Sequence, residues 1–166
     1  MKWYKRYAEW CRKRGTNYII RDRQGNKPYL ERFYLVPRWA FFGFGRIVIH
    51  RFWKSDDDGG LHDHPWPWAS LVLEGGYYEY TPLEKNSWSK DGNRDTNIKW
   101  REPGDFSGWR KSTDLHRVKL KREGEEVWTM FFMGPRQRDW GFVPNEKGSS
   151  WIQWQKYLSN RTEKLS

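Results

Sequence analysis

Cysteine is nearly absent from this chain. Cys11 stands alone among 166 residues, which excludes an internal disulfide and any zinc site built on paired cysteines. Long apolar runs are missing too, since no stretch approaches the roughly 20 residues that a membrane-spanning helix needs. No apolar segment follows Lys2-Trp3-Tyr4-Lys5, so a secretory signal is not expected and the chain reads as an intracellular, cytoplasmic protein with no membrane partner. There is no internal repeat, no Walker loop, no dinucleotide fingerprint and no Ser-His-Asp order, which removes the commonest nucleotide-dependent and triad chemistries. Acidic residues are in the minority. With 31 Lys and Arg against 21 Asp and Glu, the formal net charge is +10.

What the chain has in abundance is aromatic surface: 13 Trp, 9 Tyr and 9 Phe make up 19% of it. The mean hydropathy of −1.09 would suit a disordered polymer, but Trp and Tyr score poorly on such scales while burying large areas, so a packed core is expected. The length fits one domain, residues 1–166. The positive charge attracts phosphates, yet it is scattered in short clusters, at Arg12-Lys13-Arg14, at Lys119, Lys121 and Arg122, and at Arg136 with Arg138. Each suits a solvated face, and no zinc finger, basic zipper or RNA-recognition motif is legible. Charge alone is compatible with anionic partners and names none of them.

Periodicity divides the chain in three. In residues 2–14, Trp3, Tyr7 and Trp10 recur at helical spacing with Lys and Arg between them, and Gly15 closes the segment. A short N-terminal helix packing its Trp face inward is expected over 1–15. From Tyr29 the texture turns to strands: Tyr29–Pro37, Arg46–Trp53, Trp66–Leu73, Tyr77–Tyr80, Thr96–Arg101, His116–Leu120 and Val127–Met133, separated by turn residues at 56–60, 74–76, 82–95, 103–105 and 123–125. Seven or eight short strands over 28–134 predict an all-β sandwich or barrel. Residues 135–166, with Trp140, Trp151 and Trp154, read as a tail wrapped around it.

Four histidines bear on function: His50, His62, His64 and His116. In Leu61-His62-Asp63-His64-Pro65 two of them stand at i and i+2, which in a strand points both imidazoles to one face, about 6–7 Å apart along the backbone. Two such rings can converge on one metal ion, with a third ligand from a neighbouring strand. His116 opens one such strand, and His50, on the strand before the pair, is the next candidate. Three neutral imidazoles leave coordination positions open to water or substrate. Asp63, between the pair, should face the other way as a turn or supporting residue, and Glu74 reads as a turn residue. A pair of histidines alone is a weak motif, and its surroundings strengthen it: a Gly-rich loop before, a strand ending in Leu73-Glu74-Gly75 after, then Pro103-Gly104-Asp105 and His116.

That succession resembles the cupin superfamily, whose first motif is matched by Gly60, His62, His64 and Gly75 and whose second is matched by Pro103, Gly104 and His116. Over Tyr29 to Trp154 the chain resembles small cupin-like proteins of bacteriophages, often labelled cysteine-dioxygenase-like. The supporting runs are Tyr29-Leu30-Glu31-Arg32, Leu61–Trp66, Leu73–Tyr77 and Gly134–Phe142. The resemblance implies a cupin-type double-stranded β-helix, a jelly-roll barrel, holding one divalent transition metal. A phage-encoded member would work in the cytoplasm of a bacterial host, and pairing of such sandwiches through edge strands would give a homodimer. Where many cupins place a glutamate ligand, this chain has Trp68 and Ala69. The implied site is therefore His62, His64 and His116 alone, as in thiol dioxygenases. Imidazole ligation accepts Fe(II), Zn(II), Mn(II), Ni(II) or Cu(II), and the resemblance puts Fe(II) first.

Beside the metal, Arg136 or Arg138 could hold an anionic substrate bidentately, and Tyr77 and Trp66 could line the pocket. Each also has a structural alternative, an ion pair for the arginines and core packing for the aromatics. Three functions follow from the sequence. The first is a three-histidine non-haem oxygenase of a small polar or anionic substrate. The second is a non-catalytic cupin that binds or sequesters a small anionic metabolite or nucleotide. The third is a basic protein associated with nucleic acid.

Overall fold

The computed structural model describes residues 1–22, 27–35, 45–56, 60–84 and 94–164, with side chains as far as residue 159. Parts of the expected turns at 56–60 and 82–95 and the end of the strand expected at Tyr29–Pro37 lie outside the described residues. In chain order the elements are α1 (Trp3–Lys13), β1 (Tyr18–Arg21), β2 (Pro28–Tyr34), β3 (Arg46–Phe52), β4 (Leu61–His62), β5 (Trp68–Glu74), β6 (Tyr77–Pro82), β7 (Thr96–Arg101), β8 (Arg117–Leu120), β9 (Val127–Met133), β10 (Gly141–Val143), β11 (Ile152–Gln153) and α2 (Trp154–Lys164).

The strands form two facing layers. The first is the antiparallel sheet β1-β2-β3-β9-β5. The second joins β11-β10-β4 to β8-β6-β7 through a bridge between His62 and His116. Because side chains alternate along each strand, the register settles which residues face inward. Leu30, Phe52, Val72 and Val127 of the first sheet meet Tyr77, Val118 and Leu120 of the second in one apolar cluster. Val48, Trp68, Phe131 and Met133 form another. This is the all-β sandwich with an N-terminal helix that the residue pattern predicts.

Two features depart from the sequence reading. Among the described residues eleven strands replace seven or eight, because the segment read as a wrapping tail supplies β10, β11 and α2, and β1 extends the first sheet ahead of residue 28. The helix also turns a different face inward. Tyr4, Ala8 and Cys11 are buried against Phe33, Ile49 and Trp128, on the outer side of the first sheet. Trp3 and Trp10 stay 53% and 46% exposed. Ala8, with no accessible surface, lets the helix axis approach the sheet, which a tryptophan at the contact line would prevent.

Glu74, at the end of β5, fixes the helix from below. It accepts from the Tyr4 hydroxyl and the Lys5 ammonium at 2.6 Å each, with Lys2 at 3.2 Å. Burial alone would raise its pKa; Lys5, Tyr4 and Lys2 reverse that and hold it at about 2. The face assignment predicts that Ala8→Leu costs about 1–3 kcal/mol by overpacking and that Trp3→Ala costs about 0.5 kcal/mol, as at an exposed site. Urea denaturation measures both, and a Trp3→Ala loss of about 3–5 kcal/mol, the value for a core tryptophan, would overturn the assignment.

Candidate metal centre

His62, on β4, is held from both sides. Its N–H and C=O exchange hydrogen bonds with His116 at 2.8 and 2.9 Å, and its other neighbour is Phe142 of β10. The alternation expected of a strand then carries His64 to the face of His62 and turns Asp63 the other way. Asp63 is buried there, accepting from Gly141 N–H at 2.7 Å and Trp151 Nε1 at 2.9 Å and pairing with Arg138. It ties the C-terminal strands to the histidine segment. Pro65 and Pro67 end that segment, and their carbonyls accept from Gln137 and Gly134 at 2.7 and 2.8 Å.

The three rings meet between the sheets. A ring nitrogen of each of His62, His64 and His116 lies within 4.8 Å of the other two, the one such cluster of His, Cys, Asp and Glu among the described residues. His64 Nε2 and His116 Nε2 are 2.9 Å apart. Two ligands about 2.1 Å from one ion, at right angles, stand about 3 Å apart, so this spacing suits shared coordination. Burial, then the neighbouring His116 and His62, push the His64 pKa well below its usual value. That keeps the ring neutral, the form a metal requires. Trp68 packs on His116 with ring centroids 4.4 Å apart, and Phe131 lies 5.4 Å from His64, giving the site apolar walls.

Two carboxylates stand behind the rings. Asp56 Oδ2 lies 3.5 Å from His62 Nδ1, and Glu79 Oε1 lies 3.4 Å from His116 Nδ1. Each sits on the Nδ1 side and leaves Nε2 for the ion, the arrangement by which carboxylates orient metal-ligating histidines and raise their basicity. Asp56 is fixed in turn by the Val118 N–H at 2.6 Å and by the Tyr29 hydroxyl. Glu79, 3% exposed, takes Arg101 Nε and Nη2 at 2.8 and 2.7 Å and Arg110 Nη2 at 3.3 Å. Burial works to raise its pKa, but His116 and Arg101 outweigh it and hold the group at about 2. Neither carboxylate was singled out from the sequence. Glu79 alternates with Tyr78 and Tyr80 as any strand residue would, and Asp56 belongs to an acidic loop.

The remaining sequence candidates fall elsewhere. His50 is buried outside the cluster, stacked on Phe131 at 5.0 Å, with its Nε2 unpartnered. Arg136 lies at the surface, paired with Asp139 at 2.5 Å. Arg138 pairs with Asp63, on the far side of the segment from the two histidines, and lies over Trp151. Both arginines thus satisfy the ion-pair alternative. Tyr77 belongs to the apolar cluster, its hydroxyl 3.4 Å from Ser70 Oγ and its pKa pushed up to about 12 by burial. Trp66 is half-buried against Trp68 and Phe131. A pocket of about 170 Å³, with Tyr80, Arg94 and Arg117 in its wall, opens on the outer side of the second sheet, since Tyr80 and Arg117 alternate with the inward Glu79 and Val118. No helix among the described residues is long and apolar enough to cross a membrane.

No family model matches the chain, and no curated protein matches it in sequence. Solved structures do match in shape. Fe(II)-HppE with the alternative substrate (S)-1-HPP superposes with a TM-score of 0.50 at 12% identity, over 72% of this chain and 56% of that one. Hydroxypropylphosphonic acid epoxidase from S. wedmorenis gives 0.49 at 12% identity over 72% and 56%. An RmlC-like cupin protein from Ralstonia eutropha JMP134 gives 0.47 at 10% identity over 91% and 83%. This chain therefore spans little more than half the length of Fe(II)-HppE. What the comparison establishes is the fold: a cupin-type double sheet, here with three histidines gathered between its layers.

Proposed function

We propose that this protein is a metal-dependent cupin in which His62, His64 and His116 hold one divalent ion, Fe(II) before Zn(II), Mn(II) or Ni(II), and that it oxygenates a small polar or anionic molecule. The observation that carries this reading is the convergence of three imidazoles whose Nδ1 sides face buried carboxylates. Asp56 and Glu79 also serve Val118, Tyr29, Arg101 and Arg110, and from those positions each carboxylate can orient a ring toward an ion. The iron in Fe(II)-HppE, a protein of similar fold, supports the choice of metal. Three protein ligands leave positions open, and Fe(II) there would supply O₂ chemistry. The protein's own part is to keep His64 neutral, to orient His62 and His116, and to wall the site with Trp68 and Phe131 against water. The cysteine-dioxygenase-like and bacteriophage resemblance makes small thiols the first substrates to try. The runner-up is a cupin that binds a small anion without chemistry.

Elemental analysis of untagged protein tests the reading. About one transition-metal ion per chain is expected for three neutral imidazoles, and none in His62→Ala/His64→Ala. Oxygen uptake with small thiols or small organic acids should follow the iron content. A chain that takes up no Fe(II), Mn(II) or Zn(II) on reconstitution is not such an enzyme.

A further inference from the structure

The interior of the first sheet carries a polar row where an apolar one would be expected. Arg32 of β2 pairs in register with His50 of β3, and His50 with Thr129 of β9. Residues opposite one another share a face, so all three point between the sheets. The rows on either side are apolar: Leu30, Phe52 and Val127 on one, Val48 and Phe131 on the other. His50 and Thr129 are 5% and 2% exposed. Arg32 Nε and His50 Nε2 are both buried without a hydrogen-bond partner, and no carboxylate pairs with Arg32 among the described residues. The buried carboxylates Glu79 and Glu31 are matched elsewhere, Glu79 by Arg101 and Arg110, Glu31 by Arg12 and Arg51, and neither is a partner of the half-buried Arg32. A guanidinium with a buried, unpaired nitrogen is costly unless an anion completes it.

The row lies next to the metal centre. Phe131 stacks on His50 at 5.0 Å and meets His64 at 5.4 Å. We infer that Arg32 and His50 form the anion subsite of the centre, holding the oxyanion group, carboxylate or phosphate in class, of a small ligand whose remainder extends past Phe131 toward His62, His64 and His116. Arg32 supplies a planar fork of donors suited to two oxygens of one group, and His50 Nε2 supplies a third contact. The assignment displaces Arg136 and Arg138 from this role. The direction of the ligand rests on the metal-centre reading, whereas the anion contact stands without it.

The test uses the full chain, metal-free and Zn(II)-loaded, with acetate and inorganic phosphate as probes at millimolar concentration. Thermal unfolding and calorimetric titration give the readouts. In anion-free buffer, Arg32→Met should raise Tm by about 2–4 °C, because it removes a guanidinium nitrogen buried without a hydrogen-bond partner. At least one probe should raise the wild-type Tm, and its affinity should fall about tenfold or more in Arg32→Met. Arg32→Lys, which keeps charge but loses the fork, should bind it at an intermediate level, and Arg136→Gln should bind as wild type does. His62→Ala/His64→Ala should keep the anion shift, so that failure of the metal reading is seen separately. An Arg32→Met protein that unfolds earlier, or fails to fold, makes Arg32 a structural residue and overturns the inference. So does a wild type that responds to neither probe, or an Arg32→Met variant that responds equally.

Discussion

Glu79→Ala should be among the most destabilising single substitutions in this protein, lowering unfolding free energy by about 3–5 kcal/mol, or roughly 6–20 °C in Tm. The side chain is 3% exposed and, among the described residues, is the sole carboxylate paired with Arg101, itself 5% exposed, and with Arg110. Removing it strands the desolvated Arg101 guanidinium opposite Tyr77 and leaves Arg110, which lies over the Trp68 ring, without its carboxylate. Breaking a buried pair from one side is much worse than never having it, so Glu79→Leu/Arg101→Leu should recover part of the loss. Chemical denaturation followed by circular dichroism measures both. A loss under about 1 kcal/mol for Glu79→Ala would mean that water reaches the group and that the pair is only a surface one. The same carboxylate sets an acid limit. Its pKa is about 2 in the folded protein against an ordinary 4.5. A depressed acid contributes stability that is complete above the unfolded value and is lost as pH falls from about 4.5 toward 2. Glu74 follows the same course for the helix contact, so acid should release α1 and weaken the histidine support over one pH range.

The strands that sequence reads well are those whose pattern is made locally. Val127–Met133 and Thr96–Arg101 appear with the bounds that their composition predicts, since aromatic and β-branched residues fill each run and a turn closes each end. The helix was legible as a helix but not in its orientation. Trp3, Tyr7 and Trp10 form the more hydrophobic stripe, while Tyr4, Ala8 and Cys11 form the stripe that fits. Docking on Trp128 and Phe33, whose rings stack at 6.0 Å, selects the smaller side chains, and the Tyr4–Glu74 contact fixes the rotation. No scale of transfer energy contains that choice. The strands β10 and β11, three and two residues long, are too short for periodicity. They exist because Asp63 holds the Gly141 N–H and the Trp151 indole.

The candidate site was legible in its three histidines and opaque in the carboxylates behind them. His62 and His64 announce themselves by spacing, which the backbone turns directly into a shared face. His116 needed a non-local bridge 54 positions from His62 in sequence, supplied by their paired backbone bonds. Glu79 reaches Arg101 and Arg110 across 22 and 31 positions, and neither spacing carries a sequence signal. The arginines singled out for an anion, Arg136 and Arg138, lie in a visibly basic run, and each is taken by a carboxylate, Arg136 by Asp139 at the surface and Arg138 by the buried Asp63. Arg32 is hidden inside a strand whose pattern reads as ordinary, and only the register with His50 reveals that it points into the barrel.

Metal should stabilise this protein by a margin that its histidines account for. An ion that binds the folded chain alone adds about 2.7 kcal/mol at a free concentration near 100 times its dissociation constant, which for a chain of this size corresponds to roughly 5–11 °C in Tm. The three imidazoles are gathered from β4, the segment after it, and the bridge residue just ahead of β8, so that one ion would close a link between chain regions far apart in sequence. In the unfolded chain those ligands are dispersed, and the gain falls almost wholly on the folded state. Loading with Fe(II) under anaerobic conditions, or with Zn(II), should therefore raise Tm in the wild type and leave His62→Ala/His64→Ala unmoved. The comparison is between shifts and not between absolute melting points, because two lost rings beside Trp140 and Trp68 also remove packing. Asp56→Asn tests the support of His62 separately. It leaves three imidazoles in place but weakens the partner of one, and the metal affinity should fall about 10–100-fold. Equal metal shifts in the wild type and the double variant would place the ion elsewhere. A wild type unmoved by any divalent ion would leave the three rings as a packed, hydrogen-bonded cluster.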